Sequence, residues 1–282
     1  MFLGSSKYFK VCYMKGIIIN QFVFVLACLT FFVIGLVLFA TASEAKINTE
    51  NMVAAWLFDD GKGKDVKDSS TNGNDGKITG NPKWVAGKFG RALEFDGSTY
   101  VEVADNSSLD IVDEITIVAM VNWIQFKDAG ILSKSQDGGG DGNYFLSTGC
   151  GGGPTQAKFG IISTNGHTCG PASPVLKKDT WYHVAGVFDG KKLSIFVDGK
   201  MESEQDQGGK ITESDWPIII GSYAGLGYKS NAIIDELAVF NVALSKDDIN
   251  LLVKDGLDKI ATVSAKRKLT ATWGAIKGAS EF

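Results

Sequence analysis

From Asn51 onward the chain is a succession of short runs in which apolar residues alternate with polar ones. They read "MVAAWLF", "ALEFDG", "YVEV", "EITIVAMVNW", "GILSKS", "NYFLST", "AKFGIIS", "WYHVAGVFDG", "KLSIFVDG", "PIIIGS" and "AIIDELAVF", punctuated by glycine or Asp-Gly. With no helical period between them, the runs predict an antiparallel sandwich or barrel. In "KLSIFVDG" the two-residue period puts Leu193, Ile195 and Val197 on one face and Ser194 and Asp198 on the other. "EITIVAMVNW" is apolar on both faces, as a central strand covered on both sides would be. Asp189-Gly190 and Asp198-Gly199 are hairpin dipeptides, because glycine accepts the positive φ of a tight turn. One helix is predicted near the end: Ser245 precedes "KDDINLLVKDG", with Asp248 placed for an acidic variant of the capping box. Ile249 and Leu252 share its buried face and Gly256 can close it.

The first 45 residues follow a different pattern. Lys7, Lys10 and Lys15 precede an apolar run from Phe22 to Ala40, followed by Ala40-Thr41-Ala42. A basic arm, an apolar stretch and a small-residue site make a secretory signal, and Met14 would place Lys15 directly before the run. The run is also long enough to span a bilayer, so an uncleaved anchor stays open beside cleavage. Cys28 is a poor lipid acceptor, since mostly apolar residues follow it.

Composition then narrows the function. Glycine is plentiful at 34 residues and proline rare at 5, which suits short strands joined by tight turns. The net charge of −4 includes those three N-terminal lysines; without them 25 basic residues face 32 acidic ones, about −7. Such a body argues against nucleic acid as a partner. Cys150 and Cys169 are the cysteines left once Cys12 and Cys28 go with the leader. In an oxidising compartment they are expected to form a disulfide closing a hairpin. A metal-thiolate site lacks ligands, the chain having only His167 and His183.

Five segments in order carry a family resemblance: "AAWLFDDGKGKDVKDSSTNGNDGKI", "GKFGRALEFDGSTYVEVADNSSLDI", "EITIVAMVNW", "TWYHVAGVFDGKKLSIFVDGK" and "IIDELAVFNVALSKDDI". Together, over Met52 to Val253, they resemble bacterial laminin-G-like jelly-roll domains of the concanavalin A-like lectin/glucanase superfamily. The resemblance implies an all-β sandwich of two stacked antiparallel sheets, often a bound calcium, and recognition of sugars or proteins by loops. It does not imply one ligand. In the resembling fold a carboxylate near the first strand often meets an aspartate on the last long strand, and those positions match Asp59 and Asp235 here.

Asp59 opens an acidic loop that also holds Asp60, Asp65, Asp68, Asn72, Asn74 and Asp75. Such residues either gather oxygens around calcium or satisfy turns, and both readings stay open. A second loop, "SQDGGGDGNYF", sets Asp137, Asp141, Asn143 and Tyr144 among glycines and offers a sugar both hydrogen bonds and an aromatic face. Its alternative is a solvated loop with no ligand. The acidic spacing that some glucanases of this fold use occurs at Glu202, Glu204 and Asp206, but Ser203 and Gln205 give that segment no apolar face to hold it rigid. His183 lies mid-strand, where a structural role is expected, and the tryptophans Trp56, Trp84, Trp123, Trp181 and Trp216 are expected to pack on the sheets.

The expected organisation is therefore a leader or anchor over 1–45, one jelly-roll domain over 46–260 with a short C-terminal surface helix, and a basic tail over 261–282. The expected function is a non-catalytic module, secreted or held at the cell surface or in the periplasm. It would bind a glycan or a surface protein through loops, supported by calcium, and meet a membrane only through an uncleaved N-terminus. A glycan-cleaving enzyme of the same fold and a purely structural surface domain are the alternatives.

Overall fold

A computed structural model describes residues 47–134, 143–150, 153–223 and 226–260. The expected leader and the basic tail lie outside them. The strands are β1 (Met52–Trp56), β2 (Asp65–Val66), β3 (Gly76–Thr79), β4 (Lys83–Ala86), β5 (Arg91–Asp96), β6 (Tyr100–Val103), β7 (Ile115–Gln125) and β8 (Ala129–Lys134). They continue with β9 (Tyr144–Thr148), β10 (Ala157–Ser163), β11 (Gly166–Ala172), β12 (Trp181–Phe188), β13 (Lys192–Val197), β14 (Lys200–Asp206), β15 (Ile218–Ile220) and β16 (Asn231–Phe240). Helix α1 (Lys246–Asp255) follows.

The strands form two eight-stranded antiparallel sheets. The first has the order β14-β13-β12-β7-β16-β5-β4, with β1 also paired to β16; the second runs β11-β10-β9-β8-β15-β6-β3-β2. The main core lies between them. Ile115, Ile117, Ala119, Val121 and Trp123 of β7 enter it alternately, as do Leu193, Ile195 and Val197 of β13. Phe58 and Phe95 meet there edge to face, ring centroids 6.4 Å apart.

A second apolar layer explains why β7 is apolar on both sides. Helix α1 covers the outer face of the first sheet, setting Ile249 and Leu252 against Val118, Ala185, Phe196, Ala238 and Phe240. Ser245 caps the helix as the sequence predicts: its hydroxyl accepts from the Asp248 N–H while Asp248 returns a bond to the Ser245 N–H. His183 belongs to this strand-and-helix side. Burial alone drives its imidazole down to about 4, and among the described residues neither ring nitrogen has a hydrogen-bond partner.

The disulfide Cys150–Cys169 is present, with Cα atoms 5.8 Å apart. Cys169 pairs with Gly160 in register, on the side of β11 that faces away from the core, so the bond straps the loop after β9 over the outer face of the second sheet.

Candidate functional site

Along β16 the strict alternation of faces fails at one place. Ile234 and Leu237 both enter the main core, and the register with β7 shifts between Asp235 and Ala238. The extra residue is accommodated by Glu236 in the left-handed region at φ 49°, a β-bulge. Two neighbouring residues that would otherwise point to opposite faces therefore both turn away from the core. They are Asp235, 0% exposed, and Glu236, 3% exposed.

The turn joining β4 to β5 wraps the first of them. Asp235 Oδ2 accepts the Phe89 N–H at 2.9 Å. Close approach requires the turn's two glycines: a Cβ on Gly87 would stand 2.5 Å from Asp235 Oδ2, and one on Gly90, at φ +58°, 2.3 Å from Asp59 Oδ1. Asp59, on the loop after β1, accepts the Arg91 N–H at 2.7 Å. Glu236 Oε2 accepts the Leu257 N–H, just beyond α1. Three carboxylates, one from the loop after β1 and two from β16, thus stand where β16, the β4–β5 turn and the end of α1 meet. A cleft of about 280 Å³ opens there, lined among others by Asp59, Phe89, Glu236 and Asp258.

The electrostatics of this group are out of balance. Asp235 Oδ1 and Glu236 Oε1 are buried and have no hydrogen-bond partner among the described residues. Burial lifts the Asp235 carboxyl to about 7, with the Phe89, Lys88 and Glu236 N–H groups opposing the rise and the charge of Asp59 adding to it. Burial likewise lifts Glu236 to about 8; the Leu257 N–H opposes, and Asp235, Asp59 and Asp258 add. A buried carboxylate with one oxygen unpartnered is costly, and protonation or a cation relieves it. The carboxylate oxygens are hard donors of the kind a divalent ion takes, but the ligand atoms of Asp59, Asp235 and Glu236 do not all lie within 4.8 Å of one another, a spacing that among the described residues is met by Cys150, His167 and Cys169.

The rest of the acidic loop is turn chemistry. Asp68 alone accepts four bonds, from the Ala55, Ser70 and Asn74 N–H groups and the Ser70 hydroxyl, at 2.6 to 2.9 Å. Asp75 pairs with Lys67 and Asp65 with Lys77. The amides of Asn72 and Asn74 both donate to the Val53 carbonyl.

The loop expected to bind sugar resolves differently. Asp137 and Asp141 lie outside the described residues. Tyr144 does not present its ring to solvent: it is 1% exposed in the main core, and its hydroxyl donates to the Leu109 carbonyl at 3.0 Å. Asn143 is equally built in, its amide donating to Thr212 Oγ1 at 3.0 Å. The alternation of β9 turns Tyr144 and Leu146 inward and leaves Phe145 facing out. Glu202, Glu204 and Asp206 lie on the solvated edge strand β14, where Glu204 pairs with Lys192 and Glu202 with Lys200.

The resemblance brought forward Asp59 and Asp235 as a pair, and the structure sets Glu236 beside Asp235, a neighbour the sequence reading did not single out. The available signal was the pair of successive acids inside "AIIDELAVF", which an uninterrupted alternation cannot place on one side.

Two facing antiparallel sheets with an apolar interior define a jelly-roll sandwich. A family model described as the concanavalin A-like lectin/glucanases superfamily, of laminin G type, matches residues 95–250, more than half of the chain. The chain belongs to that family. A search by sequence among curated proteins finds no match. Among solved structures, the fold is similar to the binding domain of Paraclostridial Mosquitocidal Protein 1, with a TM-score of 0.59 and 14% identity over 73% of this chain and 52% of that one. It is similar to domain 4 of AbnA, an extracellular arabinanase from Geobacillus stearothermophilus solved with arabinotriose, with a TM-score of 0.58 and 17% identity over 75% of this chain and 100% of that one. It is also similar to the binding domain of Botulinum neurotoxin DC in complex with rat synaptotagmin II, with a TM-score of 0.55 and 13% identity over 73% and 52%. The chain spans about half the length of the toxin binding domains it matches. Among the described residues no helix is long and apolar enough to cross a membrane.

Proposed function

We propose that this chain is an exported, non-catalytic recognition module that binds a glycan or a surface protein, with a calcium ion fastening its loops. The observation that supports recognition most directly is the likeness to the arabinanase domain, matched over its whole length and solved with a sugar bound. The disulfide favours an oxidising, extracytoplasmic setting.

Calcium is supported by the imbalance at the bulge. Asp59, Asp235 and Glu236 would hold the ion, and when bound it would supply the positive charge that two buried carboxylates lack. The residues themselves tie the β4–β5 turn and the end of α1 to β16, and the loop after β1 to Arg91 at the start of β5. An ion there would stiffen that corner without touching a ligand.

Thermal unfolding with excess calcium and then with chelator tests the metal. A melting point that climbs with calcium concentration supports it, because the ion then binds the folded chain in preference to the unfolded one. An unchanged melting point removes calcium from the proposal. Screening the chain on a glycan array tests recognition, and sustained release of reducing sugar from a bound glycan would replace the module with the enzyme.

A further inference from the structure

We propose that the outer face of the second sheet is the recognition surface, and that it takes an acidic polysaccharide, stacking sugar rings on Tyr228 and pairing their carboxylates with Lys158 and Lys229. The inference rests on the recognition reading above and gives it a face and a ligand class.

Aromatic rings follow one another across this face. Tyr228 lies 5.3 Å from Tyr223, Tyr223 5.4 Å from Phe145, and Phe145 6.0 Å from the imidazole of His167, centroid to centroid. The inner members are fixed. Phe145 is fully buried and packs over Gly160, where a Cβ would stand 2.2 Å from its Cζ. Tyr223 is 8% exposed, on a segment held against β8 by the bond from the Ser230 hydroxyl to the Gly130 carbonyl. The outer members are open: Tyr228 is 45% exposed and His167 is exposed as well. The disulfide braces the same face beside His167, whose Nε2 lies 4.0 Å from Cys169 Sγ. A rigid ring with an accessible face, seated on buried rings, is what a sugar's apolar face requires.

Charge selects the class of sugar. Lys229 follows Tyr228 directly and holds its ammonium 5.7 Å from the centre of the Tyr100 ring. Lys158 pairs with Ser147 on β9, two residues along from Phe145, and its neighbours Ala157 and Phe159 point into the core, so Lys158 points outward with the rings. Among the described residues neither lysine is ion-paired. Of the described carboxylates on this face, Glu102 lies two residues from Tyr100 on the same side of β6, near Lys229, and Asp65 lies two strands further on, paired with Lys77. On a body of net negative charge, two unpaired lysines beside an aromatic run are complementary to an anion and not to a neutral chain.

The test is affinity electrophoresis of the full-length chain through gels containing polygalacturonate, alginate, or fully methyl-esterified polygalacturonate, which keeps the backbone and removes the charge. Retardation by at least one uronate polymer, about tenfold stronger than by the ester and weakening with salt, is expected. Tyr228→Ala should lose about tenfold in affinity and Tyr228→Phe little, since the ring face is kept. Lys229→Ala combined with Lys158→Ala should erase the preference for the acid over the ester. Val175→Ala, another exposed apolar site, should change nothing, and equal melting points would show that the variants fold. Equal retardation by acid and ester, no retardation by either uronate polymer, or unchanged binding in Tyr228→Ala overturns the inference. So does binding only to phosphatidylserine vesicles, which would make the face a lipid site. A chain that binds neutral glycans and ignores uronates loses this inference and keeps the recognition function.

Discussion

Two groups of acids stand within a short reach of the first strand, and they differ in what their oxygens touch. Asp68 is saturated: four donors converge on its two oxygens and fix the loop between β1 and β3. Asp235 and Glu236 are each left with one buried oxygen that has no hydrogen-bond partner among the described residues. The first group is satisfied by donors of the protein itself, whereas the second keeps two buried acceptors that the proposed ion would meet. Counting acids would rank the loop above the strand; counting unsatisfied acceptors reverses the order.

Replacing one residue in each group separates them most sharply. Asp235→Asn keeps the shape and removes the charge. It should abolish the calcium-dependent gain in stability, about 4 kcal/mol at a calcium concentration a thousandfold above Kd, and cost little in chelator. Asp68→Ala should behave in the opposite way. Loss of its four bonds leaves the buried Ala55 N–H unpaired and should cost about 3 kcal/mol, equally with calcium and with chelator. Urea midpoints of both variants in both buffers decide the matter. Equal losses for Asp235→Asn in the two buffers would return it to the structural group.

Proton linkage probes the same contrast without mutation. In chelator, the folded chain holds protons on Asp235 up to about 7 and on Glu236 up to about 8, whereas the unfolded chain releases them near the ordinary carboxylate values. Raised folded values mean that stability is greatest at low pH and is lost as pH rises through 7 and 8. Between pH 6.5 and 9 the fall should be roughly 2–3 kcal/mol. His183 does not confuse this window, because with its folded value near 4 it is largely neutral in both states there. Saturating calcium should flatten the slope, since the ion replaces the protons. A slope that calcium leaves intact would mean that the carboxylates are protonated structural groups.

Most of the fold was legible because period and punctuation report it directly. Leu193, Ile195 and Val197 share the core face that a two-residue period assigns, and Ser245 with Asp248 caps the helix where the sequence places the cap. The site was legible in part. Asp59 and Asp235 were recoverable by resemblance, but Glu236 joins them only through a bulge, a departure from the period by which strands are read. Tyr144 shows the opposite difficulty. A tyrosine beside a glycine-rich loop suggests an open ring, yet the parity of β9 decides its direction, and that parity is set by Leu146 in the core. The outward face then belongs to Phe145, whose partner Tyr223, with Tyr228 beside it, comes from a segment distant in sequence. No local pattern could have assembled them.

The smallest effect is expected at Asp59, and it sharpens the division within the acidic group. Asp59 is exposed, and one of its oxygens is already held by the Arg91 N–H. Its charge nevertheless reaches both buried acids and adds to the rise in each. Asp59→Asn keeps an acceptor for Arg91 and removes only that charge. Calcium affinity, read by isothermal titration, should fall by about tenfold, close to 1.4 kcal/mol, because one carboxylate of three is neutralised at a wet edge where charge interactions are weakened. In chelator the same variant should shift the pH-dependent loss of stability slightly toward lower pH and make it slightly smaller, because one contribution that raises the two folded carboxyl values is removed. Unchanged calcium affinity in Asp59→Asn would confine the ion to the two bulge residues and leave Asp59 as a fastening for the β4–β5 turn alone.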